Sequence, residues 1–480
     1  MSREICLWAA AYLIASGTAH GGTVQVLTNP APEGAELTFL LTDGRVLAQS
    51  FTDQGFYTLA PDDTGSYVNG TWARVADLPR DYAPYAGASA VLADGRVLMI
   101  GGEYNFGEFA LTNLGAIYDP VADKWTPLKP PAGGHWNYIG DSPDLVLPDG
   151  HFLIGDKLHK DMAAYDPKTD KWAILAHTGK ADFNAEEGWT LLSNGTVFTI
   201  DVKDRPNSEI YDPSAQFWTS AGSTGVALTA PGSGKIEYGN HKYYYPPGEI
   251  GPGMLLPDGS VFVAGAIPFP KKIAHTAIYK SGVWTAGPDF PKNEDPGDTG
   301  SVLLPSGNVL QTTLSGNVYE YDGKSLIKEN ANVGGSCLLL LPTGEVLIGG
   351  SEVYDPTGSP QPGWAPTVTS YPATVARGST YKISGTQFNG LSQANSLGDE
   401  LETFTNYPLV RITNNATGHV FYTHTHDHST MGVATGDKIV STHFDVSSGT
   451  ETGASSLIVV ANGIASTAVP ITVNQQWGDK

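Results

Sequence analysis

The sequence predicts an all-β protein, a seven-bladed propeller followed by a β-sandwich, and two recurring patterns predict it. The first is a hairpin that occurs seven times: an apolar pair, a two-residue turn and another apolar pair, as in Leu92-Ala93-Asp94-Gly95-Arg96-Val97. The other turns are Asp43-Gly44, Asp149-Gly150, Asn194-Gly195, Asp258-Gly259, Ser306-Gly307 and Thr343-Gly344. Gly and Asn tolerate the positive φ that matches the twist of the flanking strands. The turn glycines lie 37 to 64 residues apart, the spacing of propeller blades. The second pattern is a Tyr and then usually a Trp after each hairpin. These are Tyr67/Trp72, Tyr118/Trp125, Tyr165/Trp172, Tyr211/Trp218, Tyr279/Trp284, Tyr321 with no Trp, and Tyr354/Trp364. Such a pair belongs on outer strands, packed between neighbouring blades. Two patterns with one count argue for one repeated unit.

Taken in order, residues 1–19 are expected to be a secretory signal. Leu7 to Ala15 is an apolar run after Arg3, with Gly17 and Ala19 before a cleavage site. The run is too short to span a bilayer. The protein is therefore expected outside the cytoplasm, secreted or periplasmic. Thr23 to Leu27 fits an extra strand that closes the ring against the last blade. The propeller is expected over 20–364, ending at the Pro-rich stretch Gly358 to Gly363. Short strands are expected at Ala365–Val368, Thr380–Gly385, Pro408–Ile412, Ser456–Val460 and Ala468–Val473. They define a sandwich over 365–474, Ig-like in size and strand rhythm, before a tail at 475–480.

Composition narrows the partners. The formal net charge of −22 argues against nucleic acid and anionic membranes. Only 16% of residues are charged, so this is no acidic disordered chain. Of two cysteines, Cys6 lies in the signal, and Cys337 in an apolar run is expected as a small buried residue. No Gly-rich phosphate loop and no nucleophile elbow occurs.

The hairpin register locates a candidate site. The first strand of each blade starts on the face opposite its hairpin turn, so residues eight or nine before the turn converge at the propeller mouth. Counting back gives Tyr85, Asp141, Glu186, Glu249 and Asp298. Carboxylates so close raise one another's pKa values or recruit a divalent, oxygen-loving cation. Nearby aromatics, His135, Trp136, Tyr138, Trp189 and Tyr244, would suit a carbohydrate. Two carboxylates could also work as acid and base. The plainer alternative is a ring of solvated acids around a wet mouth. A second candidate is His424, His426 and His428, which at period two would share one strand face and could bind Zn²⁺ or another transition metal. Its plain alternative is a polar loop packed under the propeller.

The second repeat, Ser89 to Gly102 with Tyr118 and Trp125, resembles the galactose oxidase and kelch-type propeller family. The double glycine Gly101-Gly102 after the hairpin and the passage Ala365 to Gly385 carry the likeness further. The resemblance implies copper held by two tyrosines and two histidines, with one tyrosine cross-linked to a cysteine. Matched residue by residue, most of that set is missing. The Tyr-His pair falls on Gly334-Gly335, and Glu36 to Leu41 holds no cysteine. Tyr85 is one position from the cross-linked tyrosine, Tyr104 takes the place of the stacking aromatic, and His424 matches the sandwich-domain histidine. No copper-radical cofactor is expected. The sequence points to a monomer that binds an extracellular carbohydrate or protein at the mouth, or to a metal- or carboxylate-dependent carbohydrate-active enzyme.

Overall fold

Every hairpin turn sits between the first two strands of a small antiparallel sheet. Its chemistry explains the choice of residues. The seven turn glycines have φ between +80° and +93°, a region closed to most L side chains. The preceding Asp or Asn accepts the amide two residues on, Asp94 from Arg96 at 3.1 Å and Asp258 from Ser260 at 3.0 Å. The fold is described by a computed structural model for residues 21–35, 37–50, 53–230, 234–238, 241–245, 248–268, 272–332 and 337–475. The expected signal segment and most of the tail lie outside the described residues.

The protein is all-β; among the described residues only Pro362–Trp364 form a helical turn. Seven sheets follow one another along the chain, here called sheets 1 to 7. Their first strands are Thr38–Leu40, Ala88–Val91, Asp144–Val146, Thr190–Leu191, Gly253–Leu255, Ser301–Leu303 and Leu338–Leu340. Six of the sheets take four strands in chain order, with the short ribbon Tyr104–Asn105 and Glu108–Phe109 inserted between the second and third strands of sheet 2 and an added fifth strand in sheet 6. The seventh takes its fourth strand from the chain start, Thr23–Val26 lying antiparallel to Glu352–Asp355. First strands touch between sheets 2 and 3, 4 and 5, 5 and 6, and 6 and 7, and that of sheet 7 lies against that of sheet 1.

The Tyr/Trp pattern fills the gaps between sheets. Tyr118 and Trp125 are directly opposed across the third and fourth strands of sheet 2, with rings 5.1 Å apart. Trp125 also meets Phe56 of sheet 1 at 4.9 Å and donates its indole N–H to Ala76 O at 3.0 Å. Trp172 and Trp284 bond the preceding sheet in the same way, through Lys129 O and Ala221 O. Each tryptophan thus couples apolar packing to a satisfied polar atom. Trp125→Ala is expected to cost about 3–5 kcal/mol in denaturant unfolding, the usual range for emptying such a site.

The C-terminal part forms a nine-stranded sheet folded over one apolar core, which joins Ile383 and Phe444 to Val410, Val459 and Ile471. The five expected strands are present as Thr367–Ser370, Ser379–Thr386, Leu409–Asn414, Gly453–Ala461 and Val469–Asn474. Two further long strands are present: Val420–His426, which includes the stretch around His424 and His426 expected to be extended, and Val440–Val446, which the sequence reading leaves unassigned because histidine and hydroxyl residues dilute its apolar alternation. The first changes partner midway, pairing with Leu409–Asn414 and then with Val440–Val446. Cys337 is buried.

Candidate functional site

Four carboxylates found by register come together where the first strands of sheets 3 to 6 begin. Asp141 and Glu186 are buried; Glu249 and Asp298 keep part of their surface. Glu186 and Asp298 adopt φ of +57° and +49° just before their strands, as Ala86 does at the same register in sheet 2. Non-glycine residues rarely enter this left-handed region, and such strain concentrates at functional sites.

Four further residues complete the group. Glu103 stands three residues beyond the second strand of sheet 2 (Val97–Ile100) and Lys157 two beyond that of sheet 3 (Phe152–Gly155). That similar placement could have found them. Asp399 and Glu400 come from a loop between Asn389 and Asn406, which no sequence signal placed here. The loop serves the amides that the first strands leave open. Leu191 N–H donates to Gln393 at 2.6 Å, Leu303 N–H to Ala394 O at 2.8 Å and Leu340 N–H to Asn395 at 2.8 Å. Within it, Asn395–Ser396 adds a fifth strand to sheet 6. Buried backbone donors require such partners.

Lys157 is 1% exposed and is the cation of the cluster, paired with Asp141 and, at 3.0 Å, with Glu186. Burial works against its charge, but Glu186, Asp399 and Glu103 outweigh burial and hold its pKa above the ordinary lysine value. The carboxyls are pushed the other way. Burial and the charges of Glu186 and Asp298 drive Glu249 far up; Glu249 also hydrogen-bonds Asp298. Asp298 is raised to about 6, by burial first and then by Glu186. Asp399, hydrogen-bonded to Glu186, and Glu400 are raised well above the usual range by burial and their acidic neighbours. Burial and like charges of this kind favour the neutral form of Glu249, Asp399 and Glu400.

The aromatic expectations divide. Tyr85, 37% exposed, pairs with Tyr104 in a small ribbon, the rings 6.1 Å apart, and Tyr104 bonds Glu103. His135 is exposed, stacks on His159 at 3.9 Å and bonds Asp161 at 2.8 Å; Tyr138 is half-buried. Trp136 and Trp189 are 3% and 2% exposed and belong to the core, so they offer no platform. Their neighbours' register put them near the mouth, but large apolar rings gain more by filling the gaps between sheets. Tyr244 lies on the strand His241–Tyr245, and its side chain is outside the described residues.

The histidine segment is corrected in two ways. It does not approach the carboxylates: Thr425 N–H donates to Thr42 O and His428 N–H to Ala93 O, beside the hairpin turns of sheets 1 and 2. This is the packing under the propeller that was its plainer expectation. The three histidines also do not share a face. The strand ends at His426, and Asp427 turns the chain with φ of +51°. His428 is consequently buried apart, bonding Thr442 at 2.9 Å and stacked on Tyr407, with its pKa lowered by burial to about 3.

No family model matches the chain. The "Kelch-like protein terF" of Aspergillus terreus is 26% identical over 275 residues, covering 52% of this chain and 57% of that protein. A galactose oxidase of Gibberella zeae is 24% identical over 289 residues, covering 56% of this chain and 40% of the enzyme. Its relatives are kelch-like and galactose-oxidase proteins. The chain spans about half the length of these curated relatives. Among solved structures, a fungal alcohol oxidase of the AA5 family in complex with copper superposes with a TM-score of 0.51 at 13% identity. That match covers 95% of this chain and all of the other, and at this identity it supports the fold alone.

The galactose-oxidase likeness raises the question of copper. Around the cluster the atoms able to ligate a cation are carboxylate oxygens, with the tyrosines at its edge, while the Lys157 ammonium is itself paired with Asp141 and Glu186. Such oxygens suit hard cations such as Ca²⁺, Mg²⁺ or Mn²⁺ and not a Tyr/His copper centre. Asp141, Asp399 and Glu400 offer oxygens within 4.8 Å of one another. Asp141 Oδ1, Glu249 Oε2 and Asp399 Oδ2 are buried without a hydrogen-bond partner among the described residues. No helix among the described residues is long and apolar enough to cross a membrane.

Proposed function

We propose that the chain is a secreted, seven-bladed kelch-type propeller (20–364) with an Ig-like sandwich (365–474), whose mouth carries acid–base chemistry on a carbohydrate. One observation carries the reading: hydrogen-bonded carboxyl pairs, Glu249 with Asp298 and Glu186 with Asp399, beside partly exposed Glu103, Glu400, Tyr85 and Tyr104. Environments that push neighbouring carboxyl pKa values apart create an acid and a base at one pH. Glu249 keeps its proton and donates it, and Asp298 accepts one once ionised. Lys157 holds Asp141 and Glu186 in place. A hydrogen-bonded pair stands too close to flank a glycosidic bond from both sides as the two carboxylates of a glycosidase do, so each pair acts as one unit. The galactose-oxidase copper-radical route has no part in this reading.

Purified protein offered neutral and acidic polysaccharides should release new reducing or unsaturated ends. Glu186→Gln should lower kcat by roughly 10²–10⁴-fold, the usual loss for a proton-transfer group. Wild-type turnover in that variant, with the fold intact, removes the proposal.

A second reading, a cation-assisted binding module without turnover, is favoured by the unpartnered oxygens of Asp141, Glu249 and Asp399. It expects Tyr104→Ala to lose a carbohydrate or protein ligand while no substrate is consumed.

A further inference from the structure

A different set of ligating side chains stands where the C-terminal sheet meets the turns of sheets 1 and 2. His424 lies directly opposite Asp445, and His426 opposite His443, across two antiparallel strands. Residues two apart share a strand face, and opposed residues share it too. His424, His426, His443 and Asp445 therefore form a two-by-two array on one face.

The distances within it are informative. Asp445 Oδ2 is 3.2 Å from His424 Nδ1, and Oδ1 is 3.3 Å from His426 Nε2. A charge-assisted hydrogen bond would close to about 2.7–2.9 Å. Donors bound at about 2.0–2.1 Å to a tetrahedral ion are about 3.3 Å apart. His426 adds a constraint. Its Nδ1 lies 2.9 Å from Asp427 Oδ2, and a carboxylate only accepts, so Nδ1 carries the hydrogen. In the neutral ring, the Nε2 lone pair then faces a carboxylate oxygen. Only a cation between them, or a proton on Nε2, reconciles the two. Thr380 bonds Asp445 at 2.5 Å and fixes its carboxylate. His443 stacks on His426 at 5.7 Å, and its Nδ1 is buried without a hydrogen-bond partner among the described residues.

We propose that His424 Nδ1, His426 Nε2 and Asp445 hold a transition-metal ion of the Zn²⁺ class. Asp427 orients His426 from behind, as a carboxylate does for a metal-bound imidazole. His443 flanks the remaining position. The ion stands where the strand Val420–His426 has changed partner, and it ties that strand to Val440–Val446. His428 takes no part.

The test is calorimetric titration of the full, chelator-stripped chain with Zn²⁺ alone at pH 7.5. One ion per chain is expected. Asp445→Asn and His426→Ala should each weaken uptake by more than about 100-fold, and Asp427→Asn by about 10–100-fold, as for other residues that orient a ligand. His135→Ala, in the unrelated pair with His159, should change nothing. Zn²⁺ should raise the thermal midpoint of the wild type and leave that of Asp445→Asn unmoved. Absence of uptake by the wild type would mean that a proton alone joins His426 to Asp445, and would overturn the site. Uptake unchanged in Asp445→Asn, or abolished by His135→Ala, would overturn it equally.

Discussion

Lys157→Met should destabilise the protein by about 3–5 kcal/mol at pH 7, the range for removing one partner of a buried ion pair. The side chain is 1% exposed and faces Asp141 and Glu186, with Asp399 and Glu103 adding to its field. Methionine nearly keeps the shape, so little of the loss comes from packing. The loss comes from carboxylates left without their cation. It should therefore be smaller at about pH 4 than at pH 7, because acid favours the neutral form of carboxyls and weakens their mutual repulsion. Urea unfolding of wild type and variant at both pH values measures this. An equal loss at both would mean that Lys157 acts through packing.

Glu249→Gln should lower kcat by roughly 10²–10⁴-fold while leaving KM close to the wild-type value, since it removes a proton donor and keeps a hydrogen-bonding side chain. The pH profile separates the two partners. Asp298 must be ionised to accept a proton, and its pKa is raised to about 6, so wild-type kcat/KM should rise as the pH passes that value. Asp298→Asn should remove that limb. Stability moves in the opposite direction. A carboxyl with a raised folded pKa binds more protons when folded, so stability falls as the pH rises from the unfolded value near 4 towards 6. If turnover peaks where stability is already falling, the two effects share one source.

The sequence made the repeats legible because each turn needs its own chemistry, a short polar residue (Asp, Asn, Ser or Thr) before a glycine at positive φ. The same register led to Asp141, Glu186, Glu249 and Asp298, since equivalent positions in repeated sheets point to one place. Glu103 and Lys157 were open to the same argument at a second register. Asp399 and Glu400 were not. They stand on a long loop between two strands of the C-terminal sheet, and its fit against the first strands depends on contacts far apart in sequence. Trp136 and Trp189 show the reverse error, in which closeness along the chain suggested a platform and burial claimed both rings. For the histidines, period two failed at one residue, Asp427, whose left-handed backbone turns His428 away from its neighbours.

The central claim is that carboxyls in this cluster hold protons at neutral pH. Infrared difference spectroscopy of chelator-treated protein at pH 7 tests it directly, through the C=O stretch of protonated carboxylic acids. That band should be present in the wild type, diminish in Glu249→Gln and, for the Asp298 share, fade as the pH rises through about 6. A wild-type spectrum without any protonated-carboxyl band at pH 7 would contradict the account, because the cluster would then be fully ionised and its pairs could not share protons.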